Sequence, residues 1–136
     1  MHGVAFASKG DPVKDEQIGW VIEVVVRRGE LARFKDLMRE MVASASAEAG
    51  TLTYEWMLGV DGTNCQIFER YDDVAAAVIH SRAFDRKFAS RFFALASPAR
   101  LWVYGTPDAE LRAAFAPLDP IYHAVIGGFE RARGAS

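Results

Sequence analysis

His80 and Glu69 are the two side chains of this 136-residue chain best suited to moving a proton, because each stands where the surrounding pattern asks for an apolar residue. His80 follows Ala77 by three residues and precedes Phe84 and Phe88 by four and eight, which puts it on the side of a helix that meets a sheet. An imidazole titrating near neutrality can take a proton from a phenol or an activated carbon, and an aromatic pocket of low dielectric favours its neutral form. The competing reading is a structural histidine, hydrogen-bonded at the margin of a core. Glu69 lies between Ile67 and Tyr71 on one face of a strand, where a carboxylate is costly unless paired or neutralised. Its candidate partners are Tyr54, His80 and an arginine of the following helix. It either orients a substrate or fastens sheet to helix as a structural ion pair. Tyr54, a phenol able to orient a ligand, completes the catalytic candidates. Trp56, Tyr71, Phe84 and Phe88 form with it an aromatic layer that suits a flat ligand held by stacking, or a packed core. Asn64, Tyr122 and His123 are weaker candidates, the last two only if the tail folds over a pocket.

The elements that must position these residues are legible in the periodicity. Two alternating runs, 51–60 and 63–71, flank Asp61-Gly62, the dipeptide that most readily supplies the two positive φ angles of a type I′ turn. That turn sets Val60 opposite Thr63, Trp56 opposite Ile67, Tyr54 opposite Glu69 and Leu52 opposite Tyr71. The other face then carries Thr53, Glu55, Met57, Gln66, Phe68 and Arg70. A register slip of one residue would exchange the faces.

Before the hairpin, Trp20 to Val26 reads as a central strand with both faces covered, interrupted only by Glu23. Leu31, Phe34, Met38, Met41, Val42 and Ala45 then recur at helical spacing, and Gly50 ends that helix. After the hairpin, Asp72-Asp73 offers an N-cap for a second helix running to about Ala94. Its inward stripe is Val74, Ala77, Val78, Ser81, Phe84, Phe88 and Phe92. Arg100 to Tyr104 reads as a fourth strand, and a short helix over 108–115 leads into the tail. The order strand, helix, strand, strand, helix, strand predicts an α+β, ferredoxin-like split βαβ fold with an antiparallel sheet and an added C-terminal segment. Residues 1–18 are expected to be a flexible arm, 19–106 the folded domain, and 107–136 a helix and tail packing on the domain or on a partner. Two helices cover one sheet face only, so a homodimer packed sheet to sheet is expected. The apolar tail residues Ile121, Tyr122, Val125, Ile126 and Phe129 would close a pocket mouth or lie along the partner.

Composition narrows the function. A chain that is 51% hydrophobic and 12% aromatic can build a real core without staples. Sixteen basic against eighteen acidic residues, with no long block of one sign, indicate neither a nucleic-acid footprint nor a polybasic membrane patch. No apolar stretch suits a leader or a membrane span, which makes a cytoplasmic protein the default. The single cysteine, Cys65, reads as a small buried thiol. Gly127-Gly128 is neither a dinucleotide fingerprint nor a P-loop, no Cys/His cluster has metal-ligand spacing, and there is no nucleophile elbow. No cofactor or metal is expected, and the remaining chemistry is proton transfer on an activated small molecule.

Glu48-Ala-Gly-Thr-Leu-Thr-Tyr-Glu-Trp56, Ile67-Phe-Glu-Arg-Tyr-Asp-Asp73 and the alanine-rich start of the helix leading to His80 together resemble the antibiotic biosynthesis monooxygenase domain family, dimeric α+β barrels that include quinol monooxygenases. The resemblance covers roughly Gly19 to Tyr104. It implies a histidine at His80 and an acidic residue at Glu69 as site residues. It implies reactions that range over cofactor-independent oxygenation of quinols and related phenolics, isomerisation and haem degradation, alongside proteins with no established reaction. Where family members often carry a second histidine, this chain reads Ser81-Arg-Ala-Phe-Asp-Arg-Lys-Phe88. The asparagine of the haem-degrading branch is missing from Trp20-Val-Ile-Glu-Val-Val-Val26. The leading expectation is a monooxygenase in which a small aromatic or quinol-like molecule meets molecular oxygen. An isomerase of a small hydroxy-carbonyl compound and a non-catalytic dimeric binding protein are the alternatives.

Overall fold

The computed structural model describes residues 9–12 and 16–131. The arm expected over 1–18 falls partly on 1–8 and 13–15, and the end of the tail on 132–136, which lie outside the described residues. Strand β1 (Asp11–Pro12) is followed by β2 (Ile18–Val26), helix α1 (Leu31–Ser46), strands β3 (Thr51–Leu58) and β4 (Asn64–Tyr71), helices α2 (Val74–Lys87) and α3 (Ala89–Leu95), and strand β5 (Ala96–Tyr104). Helix α4 (Ala109–Phe115), a 3₁₀ turn over Ala116–Leu118 and the short strands β6 (Ile121–His123) and β7 (Phe129–Glu130) follow within the described residues. The main sheet has the order β3-β4-β2-β5-β6. Its first four strands pair antiparallel, as the ferredoxin-like split βαβ pattern requires, and β6 adds in parallel to the β5 edge. β1 and β7 form a separate two-stranded piece, Asp11 opposite Glu130 and Pro12 opposite Phe129.

Alternation decides what each strand contributes. On β2, Ile18, Trp20, Ile22, Val24 and Val26 are buried under the helices, while Val21, Glu23 and Val25 face the other way. On α1 the buried stripe is Phe34, Leu37, Met41 and Ala45; Leu37 takes the place expected of Met38, and Val42 is exposed. The second helix does not run unbroken to Ala94: Phe88, at φ −127° and ψ −26°, separates α2 from α3, and Phe88 and Phe92 are both buried around the break. β5 begins earlier than expected and contains Pro98, which a strand tolerates because the register shifts at Glu23/Val24 and because β6 pairs only with 102–104.

The hairpin keeps its expected register, Tyr54 opposite Glu69 and Trp56 opposite Ile67, by a different turn. Among the described non-glycine residues only Asp119 has positive φ, so Asp61 does not adopt the type I′ conformation; Gly62 alone does, at φ 74°. Gly62 N–H donates to Gly59 C=O, and the Asp61 carboxylate accepts from the N–H groups of Thr63 and Asn64. At the far end the register shifts: Thr51, not Leu52, pairs with Tyr71, and Leu52 is exposed.

Candidate active site

Three segments bring a polar cluster into the core. α2 starts where the Asp73 carboxylate caps Ala76 N–H at 2.8 Å, and its inward side carries Ala77, Val78 and His80, all buried. β4 supplies Glu69 and Tyr71 on its covered face. Its neighbour β2 approaches closely there, since a Cβ at Gly19 would stand 2.5 Å from the Glu69 carbonyl oxygen. The third group is Glu48, just past the end of α1. His80 Nδ1 meets Glu48 Oε1 at 2.8 Å and His80 Nε2 meets Glu69 Oε1 at 3.2 Å, so one imidazole bridges two carboxylates. Tyr71 donates its hydroxyl to Glu69 Oε1 at 2.6 Å, and Thr51 donates to Glu48 Oε1 at 2.8 Å.

The electrostatics reverse the expectation of a neutral imidazole. Burial pulls the His80 pKa down, but hydrogen bonds and charge from Glu69, and then from Glu48, outweigh it and hold the value at about 9. His80 is therefore an imidazolium at neutral pH. Burial, followed by the Glu69 charge, drives the Tyr54 and Tyr71 phenols far above their usual range, so both remain hydrogen-bond donors. The Trp56 indole N–H is buried without a hydrogen-bond partner among the described residues, yet lies near enough to the Tyr54 oxygen to oppose part of that rise. Because the two carboxylates sit on opposite ring nitrogens they do not converge on one point. Among the described residues no group of three His, Cys, Asp or Glu side chains is placed to hold a metal ion.

The cluster forms the polar end of a cavity of about 250 Å³ between sheet and helices. Tyr54, Glu69 and His80 line it, and aromatic rings make much of the rest: Trp20, Phe84, Phe92, Phe93 and Phe115. The exposed lining residues Asp85, Ala114 and Pro117 mark its mouth between α2 and the α4 turn. The volume falls just under the ~300–1,000 Å³ usual for drug-sized ligands, which suits a small one.

The antibiotic biosynthesis monooxygenase family matches residues 18–91. The chain belongs to that family. Among solved structures, MupZ from Pseudomonas fluorescens is similar at 24% identity and a TM-score of 0.69, covering 89% of this chain and 94% of that one. SnoaB from Streptomyces nogalater, described as a cofactor-independent oxygenase, is similar at 14% identity and a TM-score of 0.58, over 69% of this chain and 96% of that one. Rv0793 from Mycobacterium tuberculosis is similar at 21% identity and a TM-score of 0.54, over 68% and 96%. At such identities the likeness is one of fold. No curated protein matches the chain by sequence.

In this monooxygenase-family chain, four of the residues singled out from sequence line the cavity together: His80, Glu69, Tyr54 and Phe84. Three do not. Tyr71 is fully buried against Trp20, ring centroids 4.7 Å apart, and touches the site from behind, through its bond to Glu69 and its ring contact with His80 at 5.2 Å. Trp56 packs among Tyr54, Phe34 and Phe92. Phe88 lines a separate crevice of about 10 Å³ with Glu48, Tyr54 and His80. It is Tyr71, two residues along the same strand, rather than Tyr54 across the ladder, that hydrogen-bonds Glu69. Asn64 sits at the start of β4 beside the Asp61 turn. His123 stacks on Tyr104, Tyr122 lies under Arg112, and neither lines the cavity. The mouth is walled by α4 and the turn after it, while Val125, Ile126 and Phe129 of the tail are exposed. Cys65 is buried, with its thiol pushed up to about 11 by desolvation. Glu48, Trp20, Phe93, Phe115 and Leu118 are among the residues that periodicity did not single out for the site. Glu48 had a signal, a carboxylate at the negative end of a helix dipole where cations are favoured.

Proposed function

We propose that this protein is a cofactor-independent monooxygenase, acting in the cytoplasm on a small quinol, polyphenol or related aromatic with molecular oxygen. The observation that carries the reading is the Glu69–His80 pair at the polar end of a cavity walled by aromatic rings. A phenol entering hydroxyl-first meets a carboxylate able to take its proton, beside an imidazolium that stabilises the resulting phenolate. Both nitrogens of His80 are already engaged, so the base is Glu69, and His80 acts by charge rather than as the acceptor. Tyr71 holds Glu69 in place, Tyr54 orients the ring, and Phe84 with Phe92 and Phe115 keeps water from the anion. The electron-rich anion then passes an electron to oxygen, the phenoxyl and superoxide so formed join in a C–O bond, and the peroxide takes the proton held by Glu69. Breaking its O–O bond with loss of the ring C–H proton leaves one oxygen on the ring as a carbonyl and releases the other as water. Family membership and the fold shared with SnoaB support the same reading.

A homodimer through the uncovered sheet face belongs to this proposal. That face carries Val21, Val25, Met57, Phe68 and Tyr104, and a groove of about 330 Å³ runs across it beside Val125.

Oxygen uptake by purified, metal-free protein with a panel of quinols and hydroxy-aromatics tests the reading. Uptake in the wild type that disappears in folded Glu69→Gln supports it, and an absence of uptake across the panel sinks it. A second reading, a proton-shift isomerase, is favoured by the same carboxylate–imidazolium pair, which can return a proton to a neighbouring atom of the substrate. Turnover of a hydroxy-carbonyl compound without oxygen consumption would select it.

A further inference from the structure

Part of the cavity wall comes from beyond the segment that matches the family, which ends at residue 91: Phe92, Phe93 and Leu101 of α3 and β5, and then, from the C-terminal extension, Phe115 and Leu118, with Ala114 and Pro117 at the rim. Phe115 is buried, and its ring stands edge-on to Trp20 with centroids 4.9 Å apart at 69°. Trp20 in turn lies against Tyr71, whose hydroxyl holds Glu69, so the extension is packed onto the polar end through two rings. The helix that carries Phe115 is held firmly in place. Asp108 caps it at Leu111 N–H, Leu111 is fully buried, and Arg82 of α2 grips Glu110 through two bonds of 2.7 Å. A wall fixed in this way is a stop rather than a yielding surface. The charge of the lining narrows the ligand further: the carboxylates of Glu69 and Asp85 outnumber the one cation, the His80 imidazolium, and among the described residues no lysine or arginine lines the cavity, so a ligand that arrives neutral is favoured over one that arrives as an anion.

We propose that Phe115 is a specificity-determining residue, setting the largest ring system that the cavity admits within the class of neutral planar phenols. The proposal rests on the reading of the site as a phenol site. The strands and helices of the family segment supply the proton-handling end, and the C-terminal extension supplies the size limit.

Calorimetric titration under nitrogen with phenol, 2-naphthol and 2-anthrol tests it without relying on turnover. In Phe115→Ala the affinity ratio of 2-anthrol to 2-naphthol should rise about tenfold or more; in Ala114→Phe, which narrows the rim from an exposed position, it should fall by a similar factor. Thermal melts establish that each variant is folded, and if Phe115→Ala is not, Phe115→Leu, which keeps the site apolar and most of its volume filled, takes its place with a smaller rise in the same ratio expected. Ratios unchanged in the folded variants overturn the role of Phe115 while leaving the phenol site standing. Binding of none of the three phenols by the wild type overturns the phenol reading and this inference together.

Discussion

On the covered face of the sheet, β4 presents Cys65, Ile67, Glu69 and Tyr71, all buried; on its other face it presents Asn64, Gln66, Phe68 and Arg70, none of them buried. The same strand, by the same alternation, makes the candidate site on one side and a half-wet apolar surface on the other. On the open side a carboxylate is unremarkable: Glu23 accepts from Gln66 at 3.0 Å in partial contact with water. On the covered side Glu69 must be partnered, and His80 and Tyr71 are the partners. What separates the faces is the exclusion of water by α1, α2 and α4, which turns ordinary acid and base side chains into a coupled cluster.

The largest effect should come from Glu69 itself. Glu69→Gln should lower turnover by about 10²–10⁴-fold with the fold retained, measured by oxygen uptake and circular dichroism; full activity would move the base elsewhere on the covered face. The next concerns charge. A folded-state pKa of about 9 against 6.5 for an unperturbed histidine means that the native state binds this proton more tightly than the unfolded chain. His80 therefore contributes on the order of 3 kcal/mol that is fully present below pH ~6.5 and is lost as pH rises through ~9. Urea denaturation across that window should show the fall, and His80→Ala should remove this pH dependence. A wild-type profile flat from pH 6.5 to 9 would mean that the two carboxylates do not hold the imidazolium. Tyr71→Phe, which leaves Glu69 one donor short, should cost about 1.5–3 kcal/mol in the same denaturation experiment. The smallest effect on the fold belongs to the open face: Phe68→Glu should leave the stability of an isolated subunit within about 0.5 kcal/mol while abolishing association in sedimentation. Unchanged sedimentation would remove the open face as the dimer surface.

The elements were legible because periodicity reports burial locally. The alternation around Glu69 placed it opposite Tyr54 and on the covered face, and the spacing of Ala77, His80 and Phe84 placed the histidine inward, both as observed. The turn was misread because Asp61-Gly62 has two ways to reverse a chain, and the carboxylate of Asp61 chose the one that caps Thr63 and Asn64. Leu52 was misplaced because a register shift near the strand end leaves no mark in a pattern of alternating residues.

What the sequence determined by itself is the core order strand, helix, strand, strand, helix, strand, the family, and the identity of a histidine and a glutamate on facing elements, since each follows from local spacing and residue chemistry. Only the tertiary structure decided that Glu48 completes the cluster, that His80 is charged rather than neutral, that Tyr71 rather than Tyr54 holds Glu69, and that Phe115 closes the wall. Those outcomes depend on side chains far apart in sequence, Glu48 and His80 being 32 positions apart, meeting where water is excluded, and no local pattern records such a meeting.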